Sequence, residues 1–169
     1  QESNLGENVG QCYLTNTTTG EGVGKNTGKY FSNVMKPVRD IPPFIDLGLR
    51  LGYDPLKQVV SCPQSSGYGG AMGPAQFIPS TWHLYEARIA NASGQAVPNP
   101  WAAPDAIVAM SIYFSDLGAG VGGYSAEHTA AAKYYAGGSW NSRSGRTYAN
   151  SVMALASSIQ SNIELLSNN

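Results

Sequence analysis

Apolar positions along the chain change their spacing several times, and each change marks an element. Residues 14–29 hold Thr, Asn and Gly with almost no apolar positions. They predict a mobile loop. Tyr30, Phe31, Val34, Met35 and Val38 recur at roughly helical spacing over 30–42, interrupted by Pro37, Pro42 and Pro43. Phe44, Ile45, Leu47, Leu49 and Leu51 then predict a short helix that stops near Gly52. Asp54-Pro55 opens a turn or short helix leading to Val59, Val60 and Cys62. A helix over about 80–90 follows Pro79, with Ser80 or Thr81 as its N-cap. Residues 92–100 read as a loop. Pro104 and Asp105 suit the start of a helix over about 104–117. Ile107, Val108, Met110, Ile112, Phe114 and Leu117 surround that helix nearly completely, which predicts a buried central helix. After the glycine turn at 118–123, Ser125 caps a helix over 126–135. Tyr148, Val152, Leu155, Ile159, Ile163 and Leu166 give the last helix, about 146–166, a core-facing stripe. The fold class is mainly α, in one domain covering 1–169.

Charge narrows the partners. Only 12% of the residues are charged and the net charge is −1. No basic run suits nucleic acid, and no apolar run is long enough to span a membrane. A neutral surface rich in Ser, Thr, Asn, Gln and Tyr suits a carbohydrate. Two distant cysteines, Cys12 and Cys62, favour one disulfide and an oxidising, extracytoplasmic compartment; the alternative is a pair of free buried thiols. His83 and His128 lack ligand spacing, so no metal and no cofactor are expected.

The most informative stretch is Gly67-Tyr68-Gly69-Gly70-Ala71-Met72-Gly73-Pro74-Ala75-Gln76-Phe77-Ile78-Pro79-Ser80-Thr81-Trp82. Its glycines allow sharp bends and close approach of a ligand to the main chain. The stretch resembles the signature of lytic transglycosylases that cleave bacterial peptidoglycan, most nearly the lytic transglycosylase B group. Trp101-Ala102-Ala103-Pro104-Asp105-Ala106-Ile107 with Tyr113-Phe114, and Tyr134-Tyr135-Ala136-Gly137, resemble further motifs of that group and of goose-type lysozymes. Glu2-Ser3-Asn4-Leu5-Gly6, with Gly10 following, resembles the catalytic segment.

The resemblance implies a lysozyme-like, goose-type single domain with a glycan-binding groove between the Gly-rich segment and the Tyr134 helix end. It implies cleavage of the β-1,4 bond between N-acetylmuramic acid and N-acetylglucosamine by a monomer acting on peptidoglycan strands. Glu2 would protonate the leaving oxygen and then, as base, take the proton from the C6 hydroxyl, which closes a 1,6-anhydro ring. Most glycosidases use two carboxylates; here the acetamido group of the substrate replaces the second. An apolar setting supplied by Leu5, Met72, Phe77 and Tyr134 would keep Glu2 protonated.

Met72 would form a platform under a sugar. Ser66, Tyr68, Gln76, Tyr113, Tyr134, Tyr135 and Tyr148 would hydrogen-bond to or stack on the glycan. Tyr135 stands where the group has Asn. Ser65 and Ser66 lie just upstream of Gly67, where the group has Ser. The acidic Gly-Asp-Gly stretch of the group is missing from 92–100, so no calcium is expected there. Glu86 is expected on the exposed side of its helix. In that group a helix leads into the Glu, and it is expected to be missing here. A lysozyme-like hydrolase and a non-catalytic cell-wall glycan-binding protein are the alternative readings.

Overall fold

The computed structural model describes residues 3–4, 6–65 and 67–167. The chain divides into two compact units, Gln1–Met110 and Ser111–Asn169. Among the described residues it is mainly helical, with five α-helices and one small antiparallel sheet.

The first unit carries the sheet. Strands β1 (Cys12–Leu14), β2 (Gly22–Gly24), β3 (Tyr30–Phe31) and β4 (Val59–Val60) pair in the order β3-β2-β1-β4, all antiparallel. The period of two is plain in β1, where Cys12 and Leu14 are buried and Tyr13 between them is not. Residues 14–29 are therefore not a loop throughout: β2 lies within them. Its inward positions are Gly22 and Gly24, so no hydrophobic alternation marks the strand. A Cβ at Gly22 would lie 2.1 Å from the Tyr13 carbonyl oxygen. The expected helical spacing over 30–42 is also replaced. Tyr30 and Phe31 form β3, and Val34 and Met35 are buried from turns rather than from a helix face.

Helix α1 (Ile41–Arg50) begins with two prolines in its first turn, where no N–H is needed. Helix α2 (Pro79–Ser93) ends on Gly94 in the left-handed conformation, three residues later than the apolar pattern suggests. Its N-cap is Ile78 with no side-chain cap, which corrects the assignment to Ser80 or Thr81. The backbone N–H of Ser80 donates instead to the carboxylate of Asp40, at 3.3 Å. Asp40 is fully buried and ion-paired with Arg39 at 2.6 Å. A carboxylate brought from the start of α1 thus meets the positive end of α2.

Arg50 adds a second link between these helices. It grips both oxygens of Glu86, at 2.5 and 2.9 Å, and also bonds Asp46 at 2.8 Å. Glu86 is therefore not on an open face; its side chain is 13% exposed. The hydrogen bonds to Asp40 and to Glu86 push the Arg39 and Arg50 guanidinium groups above their ordinary range, so both stay charged. Phe44, Val34, Met35, Val60, Met72, Trp82 and Ile89 form the apolar interior.

Helix α3 (Ala103–Asp116) is not the buried rod that its apolar surround predicts. Asp105, Ala106 and Ala109 are its buried residues, whereas Ile107 is 65% exposed. In the second unit α4 (Tyr124–Ala136) packs on α5 (Arg143–Ser167). Small side chains make that seam: Ala131, Ala132 and Ala149 are buried, with Phe114, Trp140 and Val152 against them. A Cβ at Gly145 would sit 2.3 Å from the Trp140 carbonyl oxygen. The stripe on α5 is core only at its start. Leu155, Ile159, Ile163 and Leu166 are exposed, so the expectation of a core helix fails for its second half.

Cys12 and Cys62 form a disulfide across 50 residues of sequence. Replacing both by serine is expected to lower the free energy of unfolding by about 4 kcal/mol, the loop-closure value for that separation; urea denaturation of the oxidised and double-variant proteins checks this.

A second expectation concerns Gly73, which has φ +61 and passes so close to Pro100 that a Cβ would lie 1.8 Å from its carbonyl oxygen. Gly94 has a similar φ of +73 but open space around it. Gly73→Ala is expected to cost roughly 3 kcal/mol or more, and Gly94→Ala about 1–2 kcal/mol. Comparable losses for the two in chemical denaturation would show that the approach to Pro100 is not a constraint.

Candidate functional site

The Gly-rich stretch folds as a hairpin and a tight turn in sequence. Ser61 and the 70–71 segment exchange main-chain bonds: Gly70 N–H donates to the Ser61 carbonyl at 2.9 Å, and Ser61 N–H to the Ala71 carbonyl at 2.8 Å. The Ser61 hydroxyl also accepts from Ala71 N–H at 3.0 Å. A Cβ at Gly69 would lie 2.3 Å from the Ser61 carbonyl oxygen, so the two strands touch through main chain. Asn33 reaches the same loop, its side-chain amide donating to the Gly67 carbonyl. Tyr68, between these anchors, is 48% exposed.

Met72 bridges Val60 on one side and Phe77 on the other. Its N–H donates to the Phe77 carbonyl at 2.9 Å, which closes a turn through Gly73, Pro74, Ala75 and Gln76. Gln76 adopts φ +54, a left-handed conformation that a non-glycine residue enters only at a cost. Its side-chain amide donates to the Gly73 carbonyl at 2.7 Å and stiffens the turn from within. Strain of this kind, held by surrounding structure, concentrates at binding and catalytic sites.

One expectation changes here. Met72 is fully buried, so it offers no face to a sugar; a side chain bridged on both edges is part of the interior. The Gln76 amide is half-buried, and one of its N–H groups donates to its own turn.

The described residues after Glu2 form a local turn, and Gly10 and Gln11 then meet Val60. Ser3 is buried; its hydroxyl accepts from Gly6 N–H at 3.0 Å and its carbonyl from Asn8 N–H at 2.8 Å. Gln11 N–H donates to the Val60 carbonyl at 3.0 Å, and Gly10 approaches Val60 too closely for any Cβ. Val60 is the residue that bridges Met72. The predicted catalytic Glu2 and the predicted glycan contact Ser66 lie outside the described residues.

The remaining predicted contacts gather in the second unit, in two pairs. The rings of Tyr113 and Tyr134 lie 5.6 Å apart, with Phe114 5.1 Å from Tyr134. Tyr135 stacks on Tyr148 at 4.7 Å with an interplanar angle of 12°, and Tyr135 is 56% exposed. Helical spacing puts Tyr134 and Tyr135 on different sides of α4, which is why they join different partners.

The carboxylates of the first unit are largely engaged. Asp40 pairs with Arg39, Asp46 and Glu86 with Arg50, and Asp54 with Lys57. Asp105 accepts from the Asn99 N–H at 2.8 Å and holds the 92–100 loop with its own oxygen. Glu7 is exposed and bound by Asn4. Among the described residues no group of three or more His, Cys, Asp or Glu side chains is arranged to hold a metal. Nor is any helix among them long and apolar enough to cross a membrane. A cavity of about 500 Å³ between α1 and α2, lined by Arg39, Pro42, His83 and Leu84, contains none of the predicted contacts.

Asn33 and Asp40 are the residues that the sequence left unmarked. Each acts on a segment more than thirty residues away, and no local spacing signals such a partnership. Comparison with protein families, with curated proteins and with solved structures finds no match to this chain.

Proposed function

We propose that this chain cleaves peptidoglycan glycan strands non-hydrolytically, as a lytic transglycosylase with a lysozyme-like catalytic fold and groove. The observation that carries the reading is the Gly67–Trp82 stretch. Its resemblance to the transglycosylase signature falls on a turn with a strained Gln76, glycines that admit no side chain and an exposed Tyr68. Such a turn is rigid and leaves backbone and ring open to a sugar.

In this reading Glu2 donates a proton to the leaving glycosidic oxygen. The acetamido oxygen of N-acetylmuramic acid stabilises the cationic carbon. Glu2 then accepts the proton of the C6 hydroxyl, whose oxygen bonds to C1 and forms the 1,6-anhydro ring. No water is consumed. The engagement of Asp40, Asp46, Asp54, Glu86 and Asp105 with protein partners supports a mechanism that needs one carboxylate. Gln11 supports it too, since its bond to Val60 brings the 10–11 segment next to the residue that bridges Met72. The tyrosines Tyr113, Tyr134, Tyr135 and Tyr148 offer aromatic faces suited to sugar rings. The disulfide supports an extracytoplasmic setting, where such bonds persist.

Mass spectrometry of soluble products from purified peptidoglycan tests the reading. Fragments ending in anhydro-muramic acid are expected from the wild type, and Glu2→Gln is expected to lose at least 100-fold in rate. Reducing-end products would instead establish a hydrolase. Binding to peptidoglycan without products would establish a glycan-binding protein.

A further inference from the structure

Asn33 contacts the Gly-rich loop twice, and the two contacts straddle one residue. Its side-chain Nδ2 donates to the carbonyl of Gly67. Its own carbonyl accepts from the N–H of Gly69 at 3.3 Å. Tyr68 lies between them. On the opposite edge, Gly69 runs against the main chain of Ser61 and Cys62, with no space for a Cβ. Gly70 N–H is bound to the Ser61 carbonyl at 2.9 Å. The Tyr68 backbone is thus gripped from both sides, by Asn33 and by the 61–62 strand end, while 48% of the residue remains exposed.

A loop with three glycines at 67, 69 and 70 has large conformational freedom, and Gly67 and Gly70 adopt φ +94 and +92. Without an external clamp, an exposed ring on such a loop would be ordered only when a ligand bound, and affinity would fall accordingly. We propose that Asn33 is a positioning residue that holds Tyr68 as a preformed platform for an N-acetylated hexose of the glycan. The proposal rests on the glycan-cleaving function stated above. The residues on either side of Tyr68, Gly67 and Gly69, carry no side chain to cover the ring. A pyranose presents axial C–H groups that pack on an aromatic face, and the phenol hydroxyl can bond a sugar hydroxyl.

The test uses the whole oxidised chain, with a β-1,4-linked tetramer of N-acetylglucosamine as probe in calorimetric titrations. Asn33→Ala and Asn33→Asp both remove the donor to Gly67; the aspartate keeps the size of the side chain. Each is expected to weaken binding about five- to tenfold, the scale of one ordered hydrogen bond and its loop. Tyr68→Ala is expected to weaken it by at least as much. Adding Asn33→Ala to Tyr68→Ala is expected to change affinity less than twofold, because Asn33 acts through the ring. Hydrogen–deuterium exchange over 67–70 is expected to quicken about tenfold in both Asn33 variants while α2 exchanges as before.

Unchanged affinity in both Asn33 variants, or losses that multiply fully in the double variant, would overturn the proposal. A wild type that binds no tetramer would overturn the sugar ligand and weaken the glycan reading itself. In that case the exchange data still decide the clamp: unchanged exchange over 67–70 overturns it, and local acceleration upholds it.

Discussion

At Gly73 the main chain passes the carbonyl of Pro100 with no room for even one added carbon. Much of the first unit follows from that approach. It brings the turn after Met72 against the residue before Trp101, whose indole N–H donates to the Val59 carbonyl at 2.9 Å. The same ring meets Phe44 and Tyr53 edge-on. Val59 belongs to β4, and the next residue, Val60, bridges Met72. A closed circuit of main-chain and aromatic contacts therefore runs from the sheet, through the turn, to the start of α3. Each member holds the next, and together with the Gln76 side-chain bond to Gly73 this keeps a strained residue in place.

Few charges are present, and several carboxylates of the first unit are used structurally. Asp40 is buried without loss because Arg39 and the N–H of Ser80 both face it. Arg50 ties α1 to α2 with a two-pronged contact to Glu86, a geometry stronger than a single exposed pair. In the proposed function the unit offers a glycan hydroxyls, amides and rings. That is the chemistry a polysaccharide recognises, and it agrees with a reaction assigned to one carboxylate.

The second unit is built differently. Its interior is alanine against alanine, so α4 and α5 approach closely at the seam and leave the larger apolar residues of α5 outside it. The tyrosines follow the same division. Tyr134 turns toward Tyr113 and Phe114, and Tyr135 toward Tyr148.

Read alone, the sequence determined the helices, the disulfide partners and the stretch that bends. Apolar periodicity and glycine or proline punctuation are local properties, and they placed α1, α2, α3, α4 and α5 within a few residues. The two cysteines left one possible intrachain pairing. Tertiary structure alone decided the rest. β2 was hidden because its inward residues are glycines, whose missing side chains carry no hydrophobic signal. Met72 changed from a surface platform to a buried bridge because burial depends on what lies opposite, which spacing does not encode. The start of α2 is served by Asp40 rather than by its own Ser80, and the Tyr68 loop is held by Asn33. Both bonds join residues far apart in sequence, and only folding sets the distance between them.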